Sequence, residues 1–481
     1  MLNPKLSRLL LALIVVVFAG RNLPWHLDDF DQAKQAYTSY EMVTQGHWWF
    51  QHTPTERIAT KPPLAGWVSA TLYYMMGGHG WALAWRLPPF LCALVILRLL
   101  WKGGRDIGGE MGAVLAAAAF GLNLTTPRLA TLVRTDSMLT LCIFLAGWII
   151  FEKLRRAEPW TTRDRWWLFA AVLASMLTKG PIAYAFLLPG LAAFSWIARR
   201  RGPANLAWCG WWPWFAPLAV FVLWAVIGIR LSPEFYKQVV LKEFLGRFTV
   251  GESAVHHNQS VLYYLAQGLK NWLPWSLALL ALGRTRATRA AMQAQTATLW
   301  LLCWAFGGLL FMSLVPSKRF DRIFPVLPPL CLLLAALYRH AENEQPQRLR
   351  RLATITVTIA IPICGGYAGY KLIGGYRSEQ GALVAFGARV RALAAAHPDR
   401  LAVVNAKDEG MVMYTGATRF ISADDAVELW HARRIDWLVL GERTFSERAA
   451  ELQPSRRALE LPKIKEKNSA YVLLARPDVN Y

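Results

Sequence analysis

Paired cysteines are missing and charged residues are scarce in this sequence. The six cysteines stand singly in apolar stretches without a C-x-x-C pair, which argues against a disulfide framework and against a cysteine zinc site. Only 17% of the 481 residues are charged, whereas 55% are hydrophobic and 23 are tryptophans. This composition excludes an ordinary soluble enzyme and indicates a polytopic membrane protein.

The charges that are present are unbalanced. Lys and Arg number 53 against 31 Asp and Glu, which gives a formal net charge of +22. In a soluble chain such an excess would suggest nucleic acid as a partner. Here the basic residues cluster between apolar segments, as the positive-inside rule places them on the cytoplasmic side of a membrane. We therefore expect membrane lipids, and no nucleic acid, among the partners.

About eleven apolar segments are predicted to cross the bilayer. They lie near residues 7–24, 84–101, 108–126, 137–151, 166–178, 182–198, 211–230, 272–283, 297–315, 323–338 and 352–371. The first has no convincing cleavage site in "VFAGRN" and is interpreted as a retained anchor with a cytoplasmic N-terminus. The stretch 64–77 is shorter, follows paired prolines and is predicted to be an interfacial or re-entrant helix.

The C-terminal part of the sequence has a different pattern. Short apolar β-type segments alternate there with helical patterns, and they are "LAVVN" (401–405), "DWLVLG" (436–441) and "AYVLLA" (470–475). This predicts a small extracytoplasmic α/β domain at 376–481. The predicted transmembrane domain is 1–375, with extracytoplasmic loops at 25–83 and 231–271.

Polar residues that interrupt the apolar sequence fall on the extracytoplasmic side in this topology. Asp31 begins a helical stretch in "DDFDQAKQAYTSYEM", and Lys61 stands in "TKPPLAGW". Later turns and the long loop add Arg134, Asp136, Lys179, Arg247, Lys318, Arg319 and Asp321. Taken alone, Asp31 could be a helix cap and Lys61 a snorkelling anchor. Together, these charges beside an apolar scaffold suit a lipid phosphate held by cations while a carboxylate performs acid–base work.

These motifs also carry a resemblance. The segments "DQAKQAYTSYEM" and "TKPPLAGW" are followed in order by "AWRLPPF", "RTDSMLT", "TKGPIA", "LGRF", "NWLPWSL" and "PSKRFDRIFPVLPPL". This arrangement resembles the polyprenyl-phosphate-sugar glycosyltransferases with a GT-C fold, which include bacterial aminoarabinose (lipid A) transferases and protein O-mannosyltransferases. The resemblance covers most of residues 1–340. It implies an all-α, GT-C-like membrane domain of about 11–13 transmembrane helices, followed here by the α/β domain.

The resemblance implies roles for several residues. Asp31 would be the principal catalytic carboxylate, Asp136 a second acidic residue at the site, and Lys61 and Arg247 the phosphate ligands. Further candidates for substrate binding are Asp29, Lys179, Lys318 and Arg319. Gln32 replaces a Glu found in many relatives, and Thr60 and Lys242 replace the Glu and His of some lipid A transferases. No cofactor or metal is therefore predicted.

The sequence favours an inverting glycosyltransferase that moves a sugar from an undecaprenyl (polyprenyl) phosphate carrier to a lipid, glycan or protein acceptor. It would lie in a bacterial inner membrane, with its active site and C-terminal domain in the periplasm. A transporter or flippase of lipid-linked sugars is the alternative, and a membrane scaffold with a binding domain is a third interpretation. Transporters usually keep ionisable residues at mid-depth, where the predicted spans are nearly free of acids.

Overall fold

The computed structural model describes nine stretches of the chain. They are residues 4–27, 30–78, 81–199, 208–244, 259–285, 295–377, 381–406, 408–463 and 469–479. The contacts divide the chain into two compact units. The first unit comprises Met1–Asn22, Thr60–Ala65 and Leu87–Lys371, and the second comprises Leu23–Ala59, Gly66–Arg86 and Leu372–Tyr481.

The described part of the chain up to residue 377 is mainly helical. Its helices are α1 (Pro4–Gly20), α2 (Phe30–Gln45), α3 (Leu64–Met75), α4 (Trp81–Gly121), α5 (Thr126–Ala130), α6 (Asp136–Arg156), α7 (Thr162–Lys179), α8 (Ile182–Ala198), α9 (Trp212–Leu231), α10 (Pro233–Phe235), α11 (Tyr263–Asn271), α12 (Trp275–Gly283), α13 (Thr296–Leu314), α14 (Leu327–Glu342) and α15 (Pro346–Arg377). A π-helix, Tyr236–Phe244, follows α10, and a 3₁₀ helix, Phe320–Val326, precedes α14.

Each predicted span overlaps one of these helices. Six helices in the described part of the chain are long and apolar enough to cross a membrane, and they are Ala82–Gly121, Asp136–Arg156, Trp212–Leu231, Thr296–Leu314, Phe320–Glu342 and Pro346–Arg377. Two predicted spans share α4, which is interrupted at Gly108 and Gly109. Gly109 has φ +64° and ψ −153°, a conformation that is essentially restricted to glycine. At 12 residues, α3 is about 18 Å long and too short to span the bilayer.

Small residues allow close helix packing in the first unit. A Cβ atom at Gly190 of α8 would lie 2.6 Å from the Trp304 Cα of α13. A Cβ atom at Gly307 of α13 would in turn lie 2.6 Å from the Gly190 backbone nitrogen. The backbones of α8 and α13 therefore touch, which is the packing mode that glycine permits between membrane helices.

The C-terminal part of the second unit contains a four-stranded sheet. Its strands are β1 (Leu401–Val403), β2 (Trp437–Gly441), β3 (Arg456–Leu461) and β4 (Tyr471–Ala475), in the spatial order β1-β2-β4-β3. β1 pairs parallel to β2, and β4 pairs antiparallel to both β2 and β3. The accompanying helices are α16 (Ala382–Leu393), α17 (Gly410–Thr415), α18 (Ala423–His431) and α19 (Glu442–Arg448).

This sheet confirms the predicted α/β character of the C-terminal region. Three strands coincide with the predicted segments, whereas β3 was not predicted. Its sequence "RRALEL" is rich in charge, and it lies at the edge of the sheet, where one side stays in solvent. The predicted domain boundary between residues 375 and 376 stays a prediction, and the contacts group Leu23–Ala59 with the C-terminal region.

Candidate functional site

Asp136 and Lys179 form a buried ion pair in the first unit. The Lys179 Nζ lies 2.6 Å from the Asp136 Oδ1, and the two side chains keep only 10% and 7% of their exposure. Asp136 is the first residue of α6 and Lys179 the last residue of α7. Each charge therefore also has the sign that its helix end favours. The structure brings together a predicted catalytic acid and a predicted substrate-binding cation as partners of one another.

Asp321 is the centre of a second charge cluster in this unit. The Arg134 Nη1 and the Arg319 Nη2 each lie 2.7 Å from its Oδ2. The Lys179 ammonium also lies within electrostatic range of Asp321. Three cations and two carboxylates, those of Asp136 and Asp321, thus form one mainly buried network. Arg319 keeps 37% of its side-chain exposure and is its most accessible cation.

Lys318 is not an exposed cation. Its side chain is buried, and its ammonium donates to the Gln259 carbonyl at 3.0 Å. Burial lowers the pKa of Lys318 because the charged form loses hydration. This bond joins the segment before the 3₁₀ helix to the segment before α11.

Lys61 forms an ion pair with Glu243 across 182 residues of sequence. Glu243 lies in the π-helix, and both side chains remain partly exposed. Nothing in the sequence pattern distinguished Glu243 from the other charges of its loop. The predicted phosphate ligand Arg247 lies outside the described residues, as does Asp29.

An apolar cavity adjoins the Asp321 cluster. It has a volume of about 130 Å³ and is lined largely by Tyr264, Leu265, Trp272, Phe306, Phe320 and Phe324. The Arg319 backbone N–H donates to the Tyr264 hydroxyl at 3.3 Å, so this tyrosine links the cavity wall to the charge cluster. The first unit therefore has an apolar cavity whose lining residue Tyr264 contacts the backbone of Arg319, a partly exposed cation.

Asp31 and Glu409 lie together in the second unit. Asp31 is half-buried in the first turn of α2, and Glu409 is buried at the start of α17. Glu409 Oε2 has no hydrogen-bond partner among the described residues. Burial raises the pKa of Glu409; Lys34 opposes this shift, and Asp31 adds to it through its negative charge. The predicted base thus has a second carboxyl group beside it that sequence reasoning missed.

Comparisons with known proteins match this architecture. Residues 60–227 match the family described as dolichyl-phosphate-mannose-protein mannosyltransferase. The chain is 28% identical over 311 residues to the undecaprenyl phosphate-alpha-4-amino-4-deoxy-L-arabinose arabinosyl transferase of Erwinia tasmaniensis, covering 63% of this chain and 54% of that relative. A Sodalis glossinidius protein of the same description is 30% identical over 321 residues, covering 65% and 55%. The chain therefore spans about half the length of these curated relatives.

Solved structures show the fold. ArnT from Cupriavidus metallidurans, in a crystal structure with undecaprenyl phosphate, superposes with a TM-score of 0.74 at 19% identity and covers 98% of both chains. The Archaeoglobus fulgidus oligosaccharyltransferase superposes with a TM-score of 0.53 at 11% identity, covering 94% of this chain and 71% of that one. The chain is therefore a multi-pass membrane protein with an ArnT-like GT-C fold, which confirms the predicted fold class and resemblance.

The buried pair of Asp136 and Lys179 leads to a stability prediction. Asp136→Asn should lower the free energy of unfolding by about 3–5 kcal/mol, because it removes the carboxylate paired with the buried Lys179 and leaves Asp321 as the one carboxylate facing three cations of this network. The double variant Asp136→Asn/Lys179→Gln should recover most of this loss. Thermal melting in detergent is the measurement, and Glu447→Gln, in the exposed Arg443–Glu447 pair, is the near-neutral control. Equal melting of the single and double variants would contradict the prediction.

The raised pKa of Glu409 leads to a prediction about pH. The folded state binds the carboxyl proton of Glu409 more tightly than the unfolded state does. Protonated Glu409 therefore stabilises the fold at pH values below its ordinary pKa of 4.5. This stabilisation is lost as the pH rises through the raised pKa of the folded state. Glu409→Gln lacks this dependence. Its melting temperature relative to the parent should therefore rise between pH 4 and pH 7. Exposed Glu428→Gln should follow the parent throughout, and a constant Glu409→Gln offset would refute the assignment.

Proposed function

We propose that this chain is a membrane glycosyltransferase that moves a sugar from an undecaprenyl or other polyprenyl phosphate to a lipid, glycan or protein acceptor. The sequence relatives support it, because they carry the name of an undecaprenyl phosphate-aminoarabinose arabinosyl transferase. The family match over residues 60–227 includes Lys61, Asp136 and Lys179. The protein would lie in a bacterial inner membrane with its catalytic residues in the periplasm, in agreement with the positive-inside distribution of its loops.

The apolar cavity beside Arg319 carries this proposal. A polyprenyl phosphate combines an apolar chain with a monoanionic or dianionic head group. Its binding site therefore needs an apolar cavity next to a cation. Tyr264 links the two, since it lines the cavity and its hydroxyl accepts from the backbone N–H of Arg319. The side chain of Arg319 also carries a guanidinium group, which can bind a phosphate through two parallel hydrogen bonds.

The proposed reaction is a single displacement. The bond between the anomeric carbon and the phosphate oxygen breaks, and its electron pair goes to the phosphate. Lys61, Arg247 and Arg319 stabilise the negative charge that grows there. The acceptor oxygen bonds to the opposite face of the sugar, and Asp31 takes its proton, so the anomeric configuration inverts. With an acceptor that is already ionised, Asp31 would instead orient it.

The rival function is a flippase of lipid-linked sugars. A proton- or ion-coupled flippase would keep its ionisable groups at mid-depth in the spans. Two mainly buried acids of the first unit lie instead at helix ends: Asp136 is the first residue of α6, and Asp321 lies in the first turn of the 3₁₀ helix. This distribution favours an enzyme.

The direct test of the proposed function uses the purified full chain in detergent. Radiolabelled polyprenyl-phosphate sugars are offered one at a time, beginning with 4-amino-4-deoxy-L-arabinose because the relatives carry that name. Release of polyprenyl phosphate together with transfer of the label to an acceptor is expected. Movement of the intact donor across a liposome membrane, without cleavage, would support the flippase instead.

Asp31 is predicted to carry the proton transfer. Asp31→Asn keeps the size of the side chain but removes the base, so turnover with a hydroxyl acceptor should fall by about 100- to 10,000-fold. Donor binding should persist, because the substitution leaves the cations in place. Rates and donor affinity are measured side by side.

Two matched controls accompany this variant. Asp424→Asn changes the same residue type in the first turn of another helix of the second unit, and Asp28→Asn changes a neighbouring aspartate in the sequence. Both should transfer sugar at close to the parent rate. Near-native turnover of Asp31→Asn would return Asp31 to the role of a helix cap.

Lys61 is predicted to contribute to donor binding. Lys61→Ala should raise the KM for the donor by about 10- to 100-fold, the value of one charge-assisted hydrogen bond. Glu243→Gln should lower this KM, because Lys61 then loses a carboxylate that competes with phosphate. Exposed Lys102→Ala is the control. Unchanged donor KM values in both Lys61→Ala and Glu243→Gln would make this ion pair purely structural.

A further inference from the structure

Glu41, His47 and His52 converge in the second unit, ten or more residues beyond Asp31. The Glu41 Oε1 lies 2.7 Å from the His47 Nδ1 and 2.9 Å from the His52 Nδ1. One ligand-type atom from each residue lies within 4.8 Å of the other two. The proposed transfer reaction uses none of these three side chains.

The cluster is built into the fold around a buried carboxylate. Glu41 keeps only 2% of its side-chain exposure, whereas His47 keeps 46% and His52 keeps 32%. The backbone N–H of His52 donates to the other carboxylate oxygen, Oε2, at 2.5 Å. This bond fixes the carboxylate plane and leaves Oε1 directed at both imidazole rings.

The loop between the two histidines is held in place independently. The Trp67 indole donates to the Trp48 carbonyl at 2.6 Å, and the Gln51 side chain donates to the same carbonyl at 3.1 Å. The Ala59 backbone N–H donates to the Gln51 carbonyl at 2.7 Å, beside a β-bridge between His52 and Ile58. The backbone between the two histidines is therefore held in place.

We propose that Glu41, His47 and His52 form a binding site for a first-row divalent metal ion, with Zn²⁺ as its representative. Two imidazoles and one carboxylate are a recognised zinc ligand set, and three protein ligands leave at least one coordination position for water or another ligand. The exposed faces of the histidines place that open position toward solvent. The proposal is independent of the glycosyltransferase assignment.

Metal binding requires the ligand atoms of Glu41, His47 and His52 to move only slightly apart. Tetrahedral ligands with bonds of 2.0–2.1 Å lie about 3.3 Å apart, so each imidazole must withdraw from Oε1 by roughly half an ångström. Each Nδ1 gives up its hydrogen bond and donates its lone pair to the metal, while Nε2 carries the ring proton toward solvent. A dication would also balance the buried negative charge of Glu41.

A simpler interpretation is that the histidines only satisfy a buried carboxylate. A carboxylate accepts up to about four hydrogen bonds, so the two imidazoles and the His52 backbone N–H on Glu41 also fit that role, and Zn²⁺ binding distinguishes the two interpretations. The metal would tie α2 to the loop that follows it, and Asp31 stands at the other end of that helix.

Metal content of the full chain tests the proposal. The protein is purified in detergent through a tag without histidine, stripped with a chelator and dialysed against Zn²⁺, and bound metal is measured by mass spectrometry. About one ion per chain is expected. Cobalt substitution should give the visible absorption of a four- or five-coordinate site. The double variant His47→Ala/His52→Ala should bind no Zn²⁺ at this site.

The matched control is His256→Ala/His257→Ala, which also removes two histidines but leaves His47 and His52 in place. This control should still bind Zn²⁺. Glu41 is buried, so Glu41→Gln could fail to fold; His47→Gln changes an exposed side chain and should weaken Zn²⁺ at least tenfold in a folded protein. Parent protein that binds no Zn²⁺ overturns the proposal. So does equal Zn²⁺ binding by the parent and the His47→Ala/His52→Ala variant.

Discussion

The cost of leaving a charge unpaired in an apolar setting determines much of this structure. A buried ion that loses its partner costs several kcal/mol, so charges that enter the apolar first unit must meet opposite charges. Asp136 and Lys179 meet at opposite ends of α6 and α7, and Asp321 joins the guanidinium groups of Arg134 and Arg319. These pairings fix how the helix ends approach one another, and they hold Arg319 beside the cavity.

Hydrophobic patterning was sufficient to predict the helices and most of the sheet. A bilayer demands long apolar segments, and the backbone within them can only be helical, so the position of each span follows from composition. The buried strands β2 and β4 were equally clear, because they are continuous apolar runs. The edge strand β3 escaped prediction because its charged face is solvated and gives no such run.

The candidate site was only partly predictable. Residue type, loop position and the resemblance singled out Asp31, Lys61, Asp136 and the "PSKRFDR" cations as candidates, because charges that interrupt the apolar sequence of a membrane protein often mark a functional site. The partners of these residues were not predictable, since they come from distant parts of the sequence. Glu243 reaches Lys61 across 182 residues, and Glu409 belongs to a region to which the sequence assigned no chemistry. The spacing of Glu41, His47 and His52 is a local signal that could have been noticed.

The cost of an unpaired buried charge also helps to rank the candidate residues. Asp136 satisfies its buried charge with Lys179, as a residue that stabilises the fold would. Glu409 behaves differently, because it is buried near another carboxylate and leaves Oε2 without a hydrogen-bond partner among the described residues. Such an arrangement costs stability, and proteins usually retain it where function requires a perturbed group. Among the acids of the described residues, Glu409 beside Asp31 therefore departs most from the arrangement that stability alone would select.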